Sequence, residues 1–569
     1  MTLDEIKTKL INENLDAYIV PHGNRFLGQD ILPEEHKLKC LCGFSGSAGA
    51  LIIGQKQVFL LVDGRYELQA AAEVDLKRIT IVHQAPYMNN ICKILQEFEL
   101  LKAGYDAWCF SAADIEKVHR RYKDIQLTDV GDWVQTEKSK TVEIFHRDVA
   151  YAGQSKEEKC RIVAEQLSDK QADYFLFTSA DSVSWLLNIY AHDLPYTPVV
   201  RAFAVVSSDK KVVLYADHLK NADISVQSWY DLEQFLQRSA HKKILYDANV
   251  TPEKIKNMAD AAAIDFEKSC DVCQLLKAEK NPVELQGMID CHVRDGVALS
   301  KFLYWLELNW QGKTELDAVE KLHQLRQEQK LFISESFATI AGFGSNGAIV
   351  HYQPSEKTNK KLEAGHLLLV DSGGQYLDGT TDVTRTVAIG TPTKEMIADF
   401  TQVLKAHIAL AQAHFPEGTG GIKLDVLARA QMWQIGADYK HGTGHGVACF
   451  GNVHEGPLSI SINASNYGLK PFMVVSDEPG IYKENAYGIR IENLLYIKPV
   501  VDVQSSAAQY LKFVALTKVP IDKRLIDTYL LNPSEIAWLN TYHQSVYEAL
   551  SAYLTEPENK WLKEACSPL

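Results

Sequence analysis

The sequence has no long apolar run, no excess of basic residues and no framework of paired cysteines. No apolar run approaches the roughly 18–20 residues of a membrane-spanning helix, so we expect no transmembrane segment. The net charge of −14 and the pI near 5.7 argue against nucleic acid as a main ligand. Charges interrupt the apolar pattern of the first residues, so we expect a helix that leads into a strand there rather than a signal peptide.

The ten cysteines are scattered along the chain. Cys40 and Cys42 are too close in sequence for an easy disulfide, and Cys270 and Cys273 lack the second pair that a zinc site of this type needs. Ordinary reduced thiols are typical of a reducing compartment. The cysteines therefore favour a cytoplasmic protein.

Two stretches of the N-terminal half resemble each other. Leu15–Phe26 with Ser47–Tyr66, and Ala172–Asn188 with Arg201–Leu219, each show a strand, a polar turn and a two-strand hairpin that ends in an aspartate. This pattern predicts two related α/β domains, the alternative being a chance similarity between strand–helix patterns.

Two seams divide the chain, whose 569 residues are long enough for two to four domains. One lies near Tyr151–Lys156 and the other near Leu276–Pro282, where Asn281 can cap a helix that has Pro282 in its first turn. From Ala364 to Pro520 the sequence is mostly short strands and glycine-rich turns. We therefore expect α/β (α+β) domains at 1–153, 154–277 and 278–569, the last with a helical C-terminal extension.

Five residues of metal-ligand type occur in distinctive contexts of the C-terminal half. Four carboxylates and one imidazole suit two hard divalent cations that share a site, because carboxylates can bridge ions and offset their charge. Two such metals about 3.5–4 Å apart generate a hydroxide nucleophile and polarise a carbonyl. Each residue alone has an ordinary structural explanation, but the joint pattern predicts an enzyme that hydrolyses an amide or ester. The five residues are Asp371, Asp382, His445, Glu478 and Glu492.

Local patterns suggest how these ligands meet. A hairpin folding between Tyr376 and Leu377 would place Asp371 opposite Asp382, with Cβ atoms about 4.5–5.5 Å apart. Thr384, two residues along the same strand face, could hydrogen-bond a ligand carboxylate.

The second half of the ligand set lies in glycine-rich and strand-like sequence. The glycines of HGTGHG argue against a helix, so one of His441 and His445 can reach a metal while the other faces substrate. In YGIRIEN, Arg490 and Glu492 share a predicted strand face, and the arginine would keep a metal-bound glutamate ionised and oriented.

At this point the sequence resembles a known family. The strings VDSGGQYLDGTTDVTRT, HGTGHGVACFGNVHEGP, DEPGIY and YGIRIENL are similar to the metal-binding strings of the pita-bread dinuclear metallopeptidases, and most similar to the three-domain, cytosolic aminopeptidase P (Xaa-Pro aminopeptidase) group. IVHY around His351, GFSGSAG and DGRY add to the resemblance, which extends over essentially the whole chain.

The resemblance implies a fold and a ligand scheme. The catalytic domain would have the pita-bread (creatinase/aminopeptidase) fold, preceded by two smaller creatinase-like α/β domains. Asp371 would chelate one metal, Asp382 and Glu492 would bridge the pair, and His445 and Glu478 would complete the second. Manganese is the metal usual for the family, and zinc or cobalt can occupy similar sites.

The resemblance also implies a reaction. A hydroxide that bridges the two metals would attack the carbonyl of the bond between an N-terminal residue and a following proline, with Glu478 as proton shuttle. His351, His441 and His454 would surround the substrate, and Arg490 would lie near the proline pocket. The expected partners are peptides with proline at the second position and a second copy of the chain in a homodimer, but no nucleic acid and no membrane.

Three departures and two rival functions accompany this resemblance. Ala448-Cys449, Gly374 and Ile481 stand where the family more often has other residues, although none of them replaces a ligand. A prolidase, which cleaves Xaa-Pro dipeptides, is one alternative, and a catalytically inactive pita-bread binding protein is the other.

Overall fold

The computed structural model describes residues 1–135, 140–220, 224–464, 467–500 and 509–569. The chain forms two compact units, one of residues 1–149 with 154–273 and one of residues 150–153 with 274–569. The first unit contains two separate six-stranded sheets. The predicted boundaries of three domains stay a prediction.

The first sheet is built from the first 130 residues. The strands in the middle of the sheet are largely apolar and buried, as in VFLLV, which is buried along its whole length. The strands are β1 (Ala17–Pro21), β2 (Ala50–Gly54), β3 (Val58–Val62), β4 (Thr80–His83), β5 (Lys102–Tyr105) and β6 (Gln126–Asp129), in the order β4-β3-β2-β1-β5-β6. The helices are α1 (Leu3–Asn12), α2 (Lys37–Cys42), α3 (Glu67–Glu73), α4 (Met88–Glu97) and α5 (Ala112–Arg121).

The second sheet repeats the topology of the first. Its six strands are β9 (Tyr174–Phe177), β11 (Phe203–Ser207), β12 (Val212–Tyr215), β14 (Val226–Gln227), β15 (Lys243–Tyr246) and β16 (Asp265–Lys268). In the same stretch β7 (Val142–Glu143) pairs with β13 (Leu219–Lys220), and β8 (Phe145–His146) pairs with β10 (Ile189–Tyr190), in two separate two-stranded sheets. The helices are α6 (Val149–Ala152), α7 (Lys156–Asp169), α8 (Ala180–Leu187), α9 (Trp229–Arg238), α10 (Glu253–Ala261) and α11 (Val272–Ala278). The order β14-β12-β11-β9-β15-β16 has the same sequence of antiparallel and parallel pairs as the first sheet. The structure thus confirms two related α/β domains.

The second unit is a mixed α/β body. The helices are α12 (Pro282–Asn309), α13 (Glu315–Gln327), α14 (Lys394–Ala411), α15 (Gly421–Trp433), α16 (Pro533–Leu550) and α17 (Glu556–Ala565). The strands are β17 (Phe332–Glu335), β18 (Ile340–Phe343), β19 (His366–Ser372), β20 (Gly374–Tyr376), β21 (Gly379–Thr380), β22 (Val383–Ile389), β23 (His414–Pro416), β24 (Gly444–Gly446), β25 (Glu455–Ile460), β26 (Val474–Asp477), β27 (Gly480–Lys483), β28 (Tyr487–Arg490), β29 (Asn493–Pro499) and β30 (Tyr510–Ala515).

Four sheets of this unit supply the elements of the site. They have the orders β18-β19-β22, β23-β30-β29-β26-β24-β25, β17-β20-β21 and β27-β28. The predicted helix start is confirmed, since the Asn281 side chain accepts hydrogen bonds from the backbone N–H groups of Val283 and Glu284, with Pro282 at the first helical position.

One apolar core joins the helices and strands of the second unit. Phe400, Val403 and Leu404 of α14 pack in the same buried cluster as Leu495 of β29 and Leu539 of α16. Each such side chain contributes about 1.5–3 kcal/mol when fully buried. Among the described residues, none of the helices combines the length and the apolar character that crossing a bilayer demands.

Candidate metal centre

Strands of the second unit, and the residues directly beside them, carry all five predicted ligands. Asp371 is the penultimate residue of β19, and Asp382 directly precedes β22. His445 is the central residue of β24, Glu478 follows β26, and Glu492 lies between β28 and β29. Asp371, Asp382 and Glu492 are buried, whereas His445 and Glu478 are only partly buried.

The five side chains converge. The His445 Nε2 atom lies 3.5 Å from Asp382 Oδ2 and 3.5 Å from Glu478 Oε1. One ligand atom from each of Asp382, His445 and Glu492 falls within 4.8 Å of the others, a spacing that a single cation can span.

The predicted register of the β19–β22 hairpin is wrong by two residues. Asp371 pairs with Thr384, so Asp371 and Asp382 are not direct cross-strand partners. The observed pairing centres the hairpin between Leu377 and Asp378, the two turn residues that connect β20 and β21 of a different sheet. The observed centre lies one residue beyond the predicted midpoint and one residue before the centre of the Asp378-Gly379 signal, so neither of them gives the register.

The hydroxyl of Thr384 bonds a ligand, as predicted. Thr384 Oγ1 donates to Glu492 Oε2 at 2.7 Å, and it accepts from Arg490 Nε at 3.2 Å. A ligand carboxylate held in this way keeps its orientation when a cation binds.

Arg490 has a different direct partner from the one that we expected. The Arg490 Nη2 group donates to Asp371 Oδ2 at 2.6 Å, and the direct ion pair is therefore with Asp371 rather than with Glu492. The predicted continuous strand ends at Arg490, because β28 pairs with β27 whereas the next strand begins at Asn493 and pairs with β26. Glu492 lies in the break between the two strands.

The clustered carboxylates make the site strongly attractive to cations. Burial raises the pKa of Asp382 and of Glu492 well above the usual range, and neighbouring carboxylates raise both further. Burial also raises the pKa of Glu478, while His445 and Arg490 oppose that rise.

The residues fit a pair of hard divalent cations. Asp371 Oδ1 is buried and has no hydrogen-bond partner among the described residues, which a buried carboxylate oxygen rarely tolerates. Oxygen-rich sets with one imidazole suit manganese and related ions. Bound cations would satisfy the orphaned oxygen and balance the clustered negative charge.

Two of the predicted substrate-binding histidines border the ligands directly. His441 Nε2 lies 2.8 Å from the Tyr482 hydroxyl, and its Nδ1 lies 3.9 Å from Glu478 Oε2. The exposed His454 ring meets the His445 ring edge-on, with the centroids 4.3 Å apart.

The third histidine, His351, lies on a segment that touches the site through its backbone. The preceding carbonyl of Val350 accepts from Arg490 Nη2 at 3.3 Å. The structure thus places all three predicted histidines at the ligand cluster or on a segment that contacts it.

Tyr482 is a site residue that the sequence analysis missed. Its hydroxyl lies 2.6 Å from Arg490 Nη1 and 2.8 Å from His441 Nε2, so it joins two predicted substrate-binding side chains. Burial raises the pKa of Tyr482 to about 12, which keeps the hydroxyl protonated at neutral pH. The motif DEPGIY could have identified this residue. Its tyrosine lies in β27, two residues beyond Gly480 and on the same strand face.

The glycines of HGTGHG allow strands to approach closely around His445. A Cβ atom at Gly444 would lie 2.0 Å from the carbonyl oxygen of Ser476, and one at Gly446 would lie 2.3 Å from that of Glu455. No side chain fits at either position, so these glycines fix the distance between β24 and its neighbours.

Family models match consecutive parts of the chain. Residues 286–499 match metallopeptidase family M24, and residues 509–569 match the C-terminal region of peptidase M24. Two creatinase/prolidase N-terminal domain models match residues 3–137 and 135–284.

Similar proteins cover the chain from end to end. Aminopeptidase P1 of Lotus japonicus is 33% identical over 100% of this chain and 99% of its own length. A probable Xaa-Pro aminopeptidase P of Laccaria bicolor is 36% identical over 100% of this chain and 93% of its own. The crystal structure of an X-prolyl aminopeptidase from Caenorhabditis elegans, described as a cytosolic enzyme with a di-nuclear active site, is 32% identical with a TM-score of 0.90, covering 98% of this chain and 95% of that one.

Proposed function

The chain belongs to the aminopeptidase P family of the M24 metallopeptidases, and on that premise we propose that it is a metal-dependent Xaa-Pro aminopeptidase. It releases the N-terminal residue of peptides that have proline at the second position. The observation that carries this proposal is the convergence of Asp382, Glu478 and Glu492 on His445, together with the buried Asp371 Oδ1 atom that has no hydrogen-bond partner among the described residues.

The ligands divide between two cations. Asp371 would hold one metal, His445 and Glu478 would complete the other, and Asp382 and Glu492 would bridge the pair. Two such ions, when bound, supply a nucleophile at neutral pH by lowering the pKa of water, and they polarise the scissile carbonyl. We assign Mn²⁺ as the metal, because the ligand set is mostly carboxylate, with Zn²⁺ and Co²⁺ as the alternatives.

Glu478 is the ligand that we assign as the proton shuttle. Its side chain is 17% exposed, against 11% for Asp371 and 5% for Asp382, so it is the more open of these carboxylates to the reacting groups. Ser476 Oγ donates to Glu478 Oε1 at 3.3 Å and orients it. Glu478 takes the proton of the attacking water and delivers it to the departing proline nitrogen.

The remaining side chains bind and orient the substrate. His351, His441 and His454 hold the peptide and stabilise the oxyanion, and Arg490 borders the proline pocket. Tyr482 fixes His441 and Arg490 relative to each other. An Xaa-Pro bond has no N–H group, so a site for this bond needs an apolar pocket rather than a hydrogen-bond acceptor at that atom.

We further propose that the protein is cytosolic and that it forms a homodimer. A cytosolic location follows the description of the C. elegans structure, and a homodimer follows the family resemblance. Light scattering at several protein concentrations measures the second of these directly.

The test is hydrolysis of Arg-Pro-Pro, Arg-Pro and Arg-Ala-Ala by metal-stripped protein with and without Mn²⁺. We expect free arginine from Arg-Pro-Pro only when metal is present, and none from Arg-Ala-Ala. Activity confined to Arg-Pro would make the protein a prolidase. If no divalent metal supports hydrolysis of any of the three peptides, the protein is a binding protein on this fold.

A further inference from the structure

The segment that carries His351 leaves the sheet before it reaches the site. β18 ends at Phe343, a short 3₁₀ turn follows at Gly344–Ala348, and the chain then runs past His351 to Lys360 without a further strand. The position of His351 therefore depends on side-chain contacts that hold this segment.

Glu315 makes those contacts from the first turn of α13. The Glu315 side chain is fully buried, and both of its oxygens are used. Oε1 accepts from the backbone N–H of Phe343 at 2.7 Å and from Asn346 Nδ2 at 2.9 Å. Oε2 accepts from the Tyr352 hydroxyl at 2.8 Å and from the backbone N–H of Lys360 at 2.9 Å. A single carboxylate thus ties together both ends and the middle of the segment.

The opposite side of the segment rests on β28. The Gly347 and Gly488 backbones touch, and a Cβ atom at Gly488 would lie 1.8 Å from the Gly347 carbonyl oxygen. The Val350 carbonyl accepts from Arg490, which also pairs with Asp371. The segment is therefore held between Glu315 on one side and the strand that carries Arg490 on the other.

The chemistry of Glu315 requires a carboxylate. Four donors point at its two oxygens, and an ionised carboxylate is an acceptor at both. A glutamine of the same shape has one acceptor oxygen and one NH₂ group, so it would set that NH₂ against two of the four donors. A buried donor that loses its acceptor destabilises the folded state, so the segment would shift until these N–H and O–H groups found other acceptors.

We propose that Glu315 is a positioning residue that holds His351 in place for the substrate. This inference rests on the proposed function, because it gives His351 a role in binding the peptide. Glu315 acts through the backbone on both sides of His351, and it touches neither the substrate nor the metals.

The test is a double-mutant cycle on Arg-Pro-Pro hydrolysis with saturating Mn²⁺. The variants are Glu315→Gln, His351→Ala and the double variant, with Glu320→Gln as a matched control on the exposed face of the same helix. We expect Glu315→Gln to raise KM by about tenfold with a smaller change in kcat, and Glu320→Gln to leave both unchanged. In the His351→Ala background the same glutamine substitution should change KM by less than about twofold, since the residue that it positions is gone.

Three results would overturn the proposal. They are a KM of Glu315→Gln equal to that of the wild type, an equal effect of Glu315→Gln with and without His351, and an unchanged KM in His351→Ala. If wild-type protein cleaves no Xaa-Pro peptide, it is the proposed function that fails instead.

Tyr352→Phe provides the same test if Glu315→Gln does not fold. It removes one of the four donors to Glu315, together with the contacts of the same hydroxyl to Asn346 and Thr358, and it does not alter the other three donor groups. We expect a smaller KM increase of about two- to fivefold, again absent in the His351→Ala background. An increase that persists without His351 would contradict the positioning role.

Discussion

The hydroxyl of Thr384 provides a sensitive test of how the ligands are held. Thr384→Val keeps the β-branched shape that suits a strand and removes the hydroxyl that donates to Glu492. Thr384 is 0% exposed and Glu492 is 1% exposed, so no solvent can replace the lost hydrogen bond. The substitution therefore removes two contacts of one hydroxyl, the bond to Glu492 and the longer one from Arg490 Nε.

The size of the effect follows from the geometry. The bond is 2.7 Å long and its acceptor is a carboxylate. Hydrogen bonds to charged groups contribute about 1.5–3 kcal/mol. At about 1.4 kcal/mol for each factor of ten, we expect Mn²⁺ to bind roughly 10- to 100-fold more weakly, the range typical of residues that orient metal ligands.

Isothermal titration of Mn²⁺ into metal-stripped protein measures this change. Thr541→Val is the matched control, because Thr541 is exposed on α16 and its hydroxyl donates only to the carbonyl of Ala537 among the described contacts. A Kd for Thr384→Val within twofold of the wild type, with an unchanged Tm, would refute the reasoning.

Four further predictions concern catalysis, packing, pH and metal. Glu478→Ala should lower kcat for Arg-Pro-Pro by about 10²- to 10⁴-fold in an arginine-release assay, and an unchanged kcat would exclude it as the shuttle. Gly444→Ala should lower Tm, because its Cβ would lie 2.0 Å from the Ser476 carbonyl oxygen; an equal Tm would contradict the close strand contact. Burial lowers the pKa of His543 to about 3 from an unfolded value near 6.5, so its contribution to stability is complete above pH 6.5 and is lost as pH falls toward 3. Urea denaturation at pH 7.5 and 4.5 should therefore show a smaller acid loss for His543→Gln, and equal losses would contradict this. Removal of metal with EDTA should lower Tm in differential scanning calorimetry and Mn²⁺ should restore it, whereas a Tm insensitive to both would argue against a buried metal site.

Local sequence was sufficient where a residue's role depends on its neighbours in the chain. The similar strand, turn and hairpin patterns of the N-terminal half predicted two related α/β domains, because each hairpin is built from strands adjacent in the chain. The Asn281 cap was predicted for the same reason. The backbone N–H groups that donate to its side chain belong to residues at most three positions farther along the chain. Thr384 was assigned from the two-residue period of a strand.

Contacts between distant elements were not available from the sequence. The partner of Arg490 was missed because the chain changes sheets between Arg490 and Asn493, a break that no local pattern marks. The register of Asp371 was missed because the residues between β19 and β22 form two strands, β20 and β21, of another sheet.

The polar side chains that hold Glu492 and its neighbour Asn493 in place are distant from them in the sequence. Arg385 donates to the carbonyl of Glu492 at 2.6 Å, to Asn493 Oδ1 at 2.8 Å and to the Tyr542 hydroxyl at 2.8 Å. His407 on α14 lies 3.1 Å from Asn493 Nδ2 through its Nε2 atom. These contacts join β22, α14, β29 and α16, and only the folded chain brings them together.

The central claim is that the five converging side chains hold two catalytic cations. The most direct measurement is the number of Mn²⁺ ions bound per chain, counted by native mass spectrometry in wild-type protein and in Asp382→Ala. We predict two ions per chain in the wild type, and fewer in the variant because Asp382 is assigned to both metals. Fewer than two ions in wild-type protein, or two ions retained by Asp382→Ala, would contradict the account.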